Sequence, residues 1–135
     1  MTETPTACEI TVRVRYAEAD PMGYLHHATY FEYFEMGRTE LLRQAGSRYR
    51  DLEAAGFLFV VFAVQAKYHR PARYDDELIV RTILERVTRA RIDHRYEVHR
   101  DGLLLCEAST TLACVGRDGR PTGIPEELFH QLRDA

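Results

Sequence analysis

One segment of the chain concentrates residues whose types and spacing could do chemistry: Tyr16-Ala17-Glu18-Ala19-Asp20-Pro21-Met22-Gly23-Tyr24-Leu25-His26-His27-Ala28-Thr29-Tyr30. Asp20-Pro21 and Gly23 break regular structure, so the carboxylate sits on a loop. Seven residues further on, His27 stands at the start of a long helical pattern. The first N–H groups of a helix lack intrahelical partners and favour negative charge. A carbonyl held against them becomes more electrophilic, and the oxyanion formed from it is stabilised. A carboxylate beside such a site can attack the carbonyl or activate a water, and the spacing does not choose between the two. Carboxylates are weak bases, so either role depends on desolvation and placement. By residue type alone, Asp20 also suits a turn or a helix cap, the ordinary use of Asp-Pro in a loop.

The surrounding candidates each have a plainer alternative. Adjacent histidines do not share a helix face, and no carboxylate stands with His26 and His27 at a familiar ligand spacing. No metal site is expected, and no cofactor is required. One imidazole could shape a pocket, or both could be structural. Tyr30, Phe34 and Phe59 could line a pocket, although aromatic residues at such spacings also build cores. Arg86, Arg89 and Arg91 form a basic cluster able to meet phosphates, or a solvated turn with Glu85 and Asp93 as partners.

The elements that must position these residues follow from periodicity. Ile10, Val12, Val14 and Tyr16 alternate with Thr11, Arg13 and Arg15, the pattern of a half-buried strand. From residue 28 to 45, Tyr30, Phe31, Phe34, Leu41, Leu42 and Ala45 recur at helical spacing, with Glu32, Glu35, Thr39 and Arg43 on another side. Gly46 is placed to stop this helix, and Gly37 inside it implies close packing at that point. Residues 47–55 read as a short second helix or an ordered connection ending near Gly56. Residues 57–68 are nearly continuously apolar, as in a central strand covered on both faces. Strands are expected at 78–85, 92–98 and 103–115, with a hairpin at Asp101-Gly102 and a turn at Asp118-Gly119. A short helix should begin near Pro125. So small a chain cannot easily cover an apolar helix with one flat sheet, so an α+β domain with the sheet wrapped round the helix is expected.

Composition bounds the function. A length of 135 residues suits one domain, 1–135, and 45% apolar with 29% charged residues describes a folded globule rather than a disordered chain. The longest apolar run, about residues 57–64, is far short of the ~20 residues needed to span a bilayer, so no membrane insertion is expected. The first eight residues have neither a basic nor an apolar leader region, which points to a cytoplasmic location. Three cysteines without CxxC spacing suggest reduced thiols. Cys106 and Cys114 share one expected strand and are too far apart along it to bond each other. A formal charge of −3 argues against a general nucleic-acid surface.

The Asp20 segment resembles the active-site loop of the 4-hydroxybenzoyl-CoA thioesterase group of hotdog-fold proteins, including the branch associated with the Tol-Pal system. The matching features are Asp20, Gly23, His27, Tyr30 and the following Phe31-Glu32-Tyr33-Phe34-Glu35. The similarity continues through Tyr68-His69-Arg70-Pro71-Ala72-Arg73-Tyr74-Asp75-Asp76, Arg91-Ile92 and Gly119-Arg120, covering roughly residues 8 to 120. The resemblance implies a hotdog fold, with a curled five-stranded antiparallel sheet wrapped around one long helix. It implies hydrolysis of an acyl-CoA thioester, with Asp20 as nucleophile or general base and the backbone N–H at His27 as oxyanion donor. Gly23, Tyr30, Phe34 and Phe59 then become candidates for substrate contact, and Arg86, Arg89 and Arg91 for the phosphates of CoA. It also implies a homodimer or homotetramer with sites between subunits. Two other functions fit parts of the pattern. A hotdog enoyl-thioester hydratase or dehydratase would use an Asp/His pair, but the Asn-Pro step expected before the His is absent. A non-catalytic acyl-CoA-binding module would not need Asp20.

Overall fold

The computed structural model describes residues 5–133. The order of elements is β1 (Ala7–Arg13), a short 3-10 turn (Tyr16–Glu18), α1 (Thr29–Gln44), α2 (Tyr49–Ala54), β2 (Leu58–Tyr68), β3 (Glu77–Val87), β4 (Arg91–Arg100), β5 (Leu103–Val115) and α3 (Glu126–Arg133). The alternation around Ile10, Val12 and Val14 does form a strand. Its pairing ends at Arg13, and the expected inward position at Tyr16 belongs instead to the 3-10 turn, where the ring is exposed. Asp101 and Gly102 both take positive φ and close the β4–β5 hairpin as expected of Asp-Gly. Gly46, at φ 95°, ends α1, with the Ser47 N–H returning to the Leu42 carbonyl.

All strand pairs are antiparallel, and the sheet runs β1-β3-β4-β5-β2. This corrects the expectation of a curled sheet wrapped round the helix: β1 and β2 are two separate free edges, the sheet is open, and α1 lies on one face of it. The physical reason is that α1 does not need enclosing. Its buried residues, Tyr30, Tyr33, Phe34, Gly37, Leu41 and Leu42, form one stripe, while Phe31 and Met36 remain exposed. The first half of that stripe packs on β1, β3 and β4, with Phe34 stacked on Tyr96 at 4.4 Å. The second half is covered by Leu128, Phe129 and Leu132 of α3, which supply the cover that a wrapping sheet was expected to provide.

β2 carries a second correction. Its continuous apolarity suggested a central strand, but it is an edge, with Val60, Val61, Phe62 and Val64 each at least 44% exposed. A bulge between Val61 and Ala63 interrupts its register with β5. Gly37 behaves as expected: a Cβ there would collide with Thr82 Oγ1 of β3, so the missing side chain lets the helix approach the sheet. Cys8, Cys106 and Cys114 are buried free thiols. No helix of the described residues is long and apolar enough to cross a membrane.

Candidate active site

The loop between the 3-10 turn and α1 is folded around Asp20. The Asp20 N–H donates to the Tyr24 carbonyl at 2.7 Å, and the Gly23 N–H donates back to the Asp20 carbonyl at 2.9 Å. Gly23 adopts φ 83° with open space around its missing Cβ, so it serves the turn rather than a tight contact. One carboxylate oxygen, Asp20 Oδ1, accepts the N–H groups of Met22 at 2.9 Å and Tyr24 at 3.1 Å. Asp20 Oδ2 has no partner among the described residues. The turn thus takes up one oxygen of the side chain and leaves the other without a partner among the described residues.

The same loop is fastened on both sides. Leu25 N–H donates to the Ala72 carbonyl and His26 N–H to the Glu18 carbonyl, while Tyr24 bridges Arg73. Glu18 also accepts the Tyr33 hydroxyl of α1 at 2.8 Å and the Arg15 N–H at 2.8 Å. Burial pushes the Glu18 carboxyl up, but these donors and the Arg15 charge outweigh it and hold the group below the usual carboxylate range. Glu18 and Tyr33 thus tie the loop to the helix. Nothing in their fifteen-residue spacing signals that pairing in the sequence.

At the start of α1, the Ala28 N–H donates to His26 Nδ1 at 3.1 Å and the Thr29 N–H to the His26 carbonyl at 3.0 Å. The His27 N–H has no acceptor among the described residues, while the His27 carbonyl accepts the Tyr68 hydroxyl at 2.9 Å. That bond fixes the peptide at His27 from β2, a role for Tyr68 that sequence reasoning did not assign. The His26 and His27 rings stack on each other at 4.3 Å. The chemistry available here is a carboxylate oxygen and a backbone donor on one anchored loop at a helix N-terminus. Among the described residues no group of His, Cys, Asp and Glu is arranged to hold a metal ion.

The remaining candidates fall at increasing distance from this loop. Tyr30 is buried behind it, edge-on to Tyr68 at 5.1 Å, and burial pushes its hydroxyl up to about 12. Phe34 is part of the core but also borders a groove between α1 and β2 that Phe31, Val61 and Val64 share. Phe59 lines the continuation of that groove, with Tyr49. Arg86, Arg89 and Arg91 lie at the opposite end of the sheet. β3 alone, with 11 residues, separates the two ends by roughly 33 Å. Arg89 pairs with Glu126 at 2.6 Å and covers the Phe129 ring, and Arg91 lies over the Phe62 ring at 4.2 Å. Within one chain, the structure does not bring the arginine cluster to Asp20.

An open antiparallel sheet carrying one long helix, with an acidic loop at its N-terminus, defines a hotdog-type α+β protein. Residues 14–132 match the family described as the thioesterase-like superfamily. The acyl-CoA thioesterase YbgC of Haemophilus influenzae is 35% identical, over 90% of this chain and 93% of its own length. The crystal structure of hypothetical protein TT1821 from Thermus thermophilus superposes with a TM-score of 0.89 at 35% identity, covering 94% of this chain and 95% of that one. That of a DHNA-CoA thioesterase from Staphylococcus aureus superposes with a TM-score of 0.90 at 27% identity, covering 94% and 88%. The chain belongs to the thioesterase-like superfamily, in the hotdog-fold branch related to YbgC and the 4-hydroxybenzoyl-CoA thioesterases.

Proposed function

We propose that the protein hydrolyses an acyl-CoA thioester to the free acid and CoA. The observation that carries this reading is that one anchored loop holds both Asp20 Oδ2 and the His27 N–H, each without a partner among the described residues. The His27 N–H and the α1 terminus receive the thioester oxygen, and negative charge developing on it is stabilised there. Asp20 then acts in one of two ways. As a nucleophile, its oxygen bonds to the carbonyl carbon, the carbon–sulfur bond breaks and CoA departs as a thiolate, leaving a mixed anhydride for water to cleave. As a base, it takes a proton from water, the resulting hydroxide attacks the carbon and the same bond breaks. Gly23 shapes the turn, Tyr30 backs it, and Phe34 and Phe59 border the path of the acyl group.

The free β2 edge supports a homodimer as the working unit, able to pair further into a tetramer. Antiparallel pairing of two β2 edges about a two-fold axis sets the Leu58 end of one strand beside the Tyr68 end of the other. That arrangement carries the Arg86, Arg89 and Arg91 end of a second copy to the Asp20 end of the first. The CoA phosphates would then meet arginines from across the dimer. The test is release of CoA thiol from a panel of aromatic, short and long aliphatic acyl-CoAs by the purified protein. Thiol release that Asp20→Asn abolishes is the expected result, and no release from any of them would overturn the reading.

A further inference from the structure

The two peptide units that flank the His27 Cα are both held by hydrogen bonds. The first carries the unpartnered His27 N–H, and its carbonyl, on His26, accepts the Thr29 N–H at 3.0 Å. The second joins His27 to Ala28 and is held at both ends. Its N–H donates to His26 Nδ1 at 3.1 Å, and its oxygen accepts the Tyr68 hydroxyl at 2.9 Å. The helix does not take up that oxygen, because the Phe31 N–H donates instead to the Ala28 carbonyl at 3.1 Å.

Among the described residues, the Tyr68 bond is the one that ties residues 26–29 to a strand. Their other bonds stay within the loop, the 3-10 turn and the start of α1. Tyr68 is a firm post for this purpose. It closes β2, its backbone is in register with Cys106 of β5, and its ring meets the Tyr30 ring edge-on at 5.1 Å. With Tyr68 44% exposed, water can replace its hydroxyl at the His27 carbonyl, so the bond contributes direction rather than much stability.

We propose that Tyr68 is a positioning residue, which sets the direction of the His27 N–H toward a bound carbonyl oxygen; this rests on the thioesterase reading and adds a residue to its machinery. A donor stabilises an oxyanion only where it already points at the place the charge develops. The direction of the His27 N–H depends on the torsions about the His27 Cα, and the Tyr68 bond restrains the peptide on the far side of that atom. Loosening it lets the N–H swing while Asp20 and the remote contacts to CoA stay as they are. The loss therefore falls on the transition state and not on substrate binding.

The experiment uses Tyr68→Phe, which removes the hydroxyl and keeps the ring on Tyr30. Thiol release gives kcat and KM for an acyl-CoA, and melting and sedimentation check fold and assembly. A CoA ketone with a methylene in place of the thioester sulfur, labelled with ¹³C at the carbonyl, is bound to each protein and its carbonyl stretch read by infrared spectroscopy. In Tyr68→Phe, kcat should fall about tenfold with KM within about twofold, less than the loss of the donor itself would cost. The melting temperature and sedimentation should stay near native. The ketone stretch, lowered below its value in water by the native protein, should move back toward that value. Native kcat and an unmoved stretch in Tyr68→Phe overturn the inference. So does a kcat loss that comes with subunit dissociation or a steep fall in melting temperature, which would assign Tyr68 to folding or assembly. A native protein that leaves the stretch at its value in water overturns it as well. A stretch that depends on the Tyr68 hydroxyl in a protein that hydrolyses no acyl-CoA would sustain the positioning role and remove the thioesterase reading. Hydrolysis indifferent to Tyr68→Phe would do the reverse.

Discussion

Asp20 gives one carboxylate oxygen to the turn, and the other is the one proposed for chemistry, which is what makes a conservative substitution informative. Asn at this position keeps an oxygen to accept the Met22 and Tyr24 N–H groups, but it removes the anion. Asp20→Asn should lower kcat by at least about 100-fold with little change in thermal stability or in binding of a CoA ester, as read by thiol release and calorimetry. His26→Ala should cost much less, because its imidazole accepts one N–H from Ala28 and the proposed oxyanion donor is the backbone of the next residue. Near-normal turnover in Asp20→Asn together with a dead His26→Ala would reverse the assignment. His94 sets a different residue-scale expectation. It is 4% exposed with Nδ1 unpartnered, and burial, helped by the Arg38 charge, pushes its pKa down to about 3 from an ordinary value near 6.5. Between those values the unfolded chain binds the proton and the folded one does not. Stability contributed by neutral His94 is therefore complete above pH 6.5 and declines by several kcal/mol as pH falls toward 3. Melting temperatures measured from pH 7 to 4 should fall steeply in the native protein and less in His94→Phe. Parallel curves for the two would show that His94 is not responsible.

At the scale of the element, α1 depends on one small residue. Gly37 lets the helix settle against β3, and an added methyl would run into Thr82 Oγ1, itself buried without a hydrogen-bond partner. Gly37→Ala should gain about 1 kcal/mol of helix propensity yet lose about 1–3 kcal/mol to overpacking, giving a net fall in melting temperature. Thr82→Ala in the same chain should recover most of that loss, a coupling that a double-mutant cycle reads directly. Because α1 carries both the proposed oxyanion site and one wall of the groove proposed for the acyl group, activity in Gly37→Ala should fall along with stability. Additive effects of the two substitutions would mean that the contact does not position the helix.

At the scale of the molecule, the unusual feature is an apolar edge. β2 exposes Val60, Val61, Phe62 and Val64 on a strand with free backbone groups, a combination that invites pairing with another strand. Sedimentation of the native protein at micromolar concentration should show a dimer or larger. Val60→Lys combined with Phe62→Lys should shift it to monomer and cut thioester hydrolysis, since the arginines of a second copy would no longer reach the Asp20 end. A native protein that sediments as a monomer while fully active would remove the dimer from the proposal.

The periodicities of residues 28–45 and of β3 to β5, the Asp-Gly hairpin and the loop around Asp20 are all set by local chemistry, and they were legible in the order of residues. Gly37 was legible too, because a glycine inside a helix needs a packing reason and the structure supplies one in Thr82. The order of strands was not legible, because apolarity in β2 is the same whether it is covered by its own chain or left as an edge for a second copy. Nor was the openness of the sheet, which follows from α3 covering the second half of α1, a contact between segments some ninety residues apart. The Tyr33–Glu18, Tyr68–His27 and Tyr96–Thr110 bonds likewise join residues that carry no spacing signal. The residues alone determined a helix with an acidic, turn-forming loop at its start. Which side chains hold that loop, and what lines the groove beside it, were decided by tertiary packing, because both depend on contacts between distant segments.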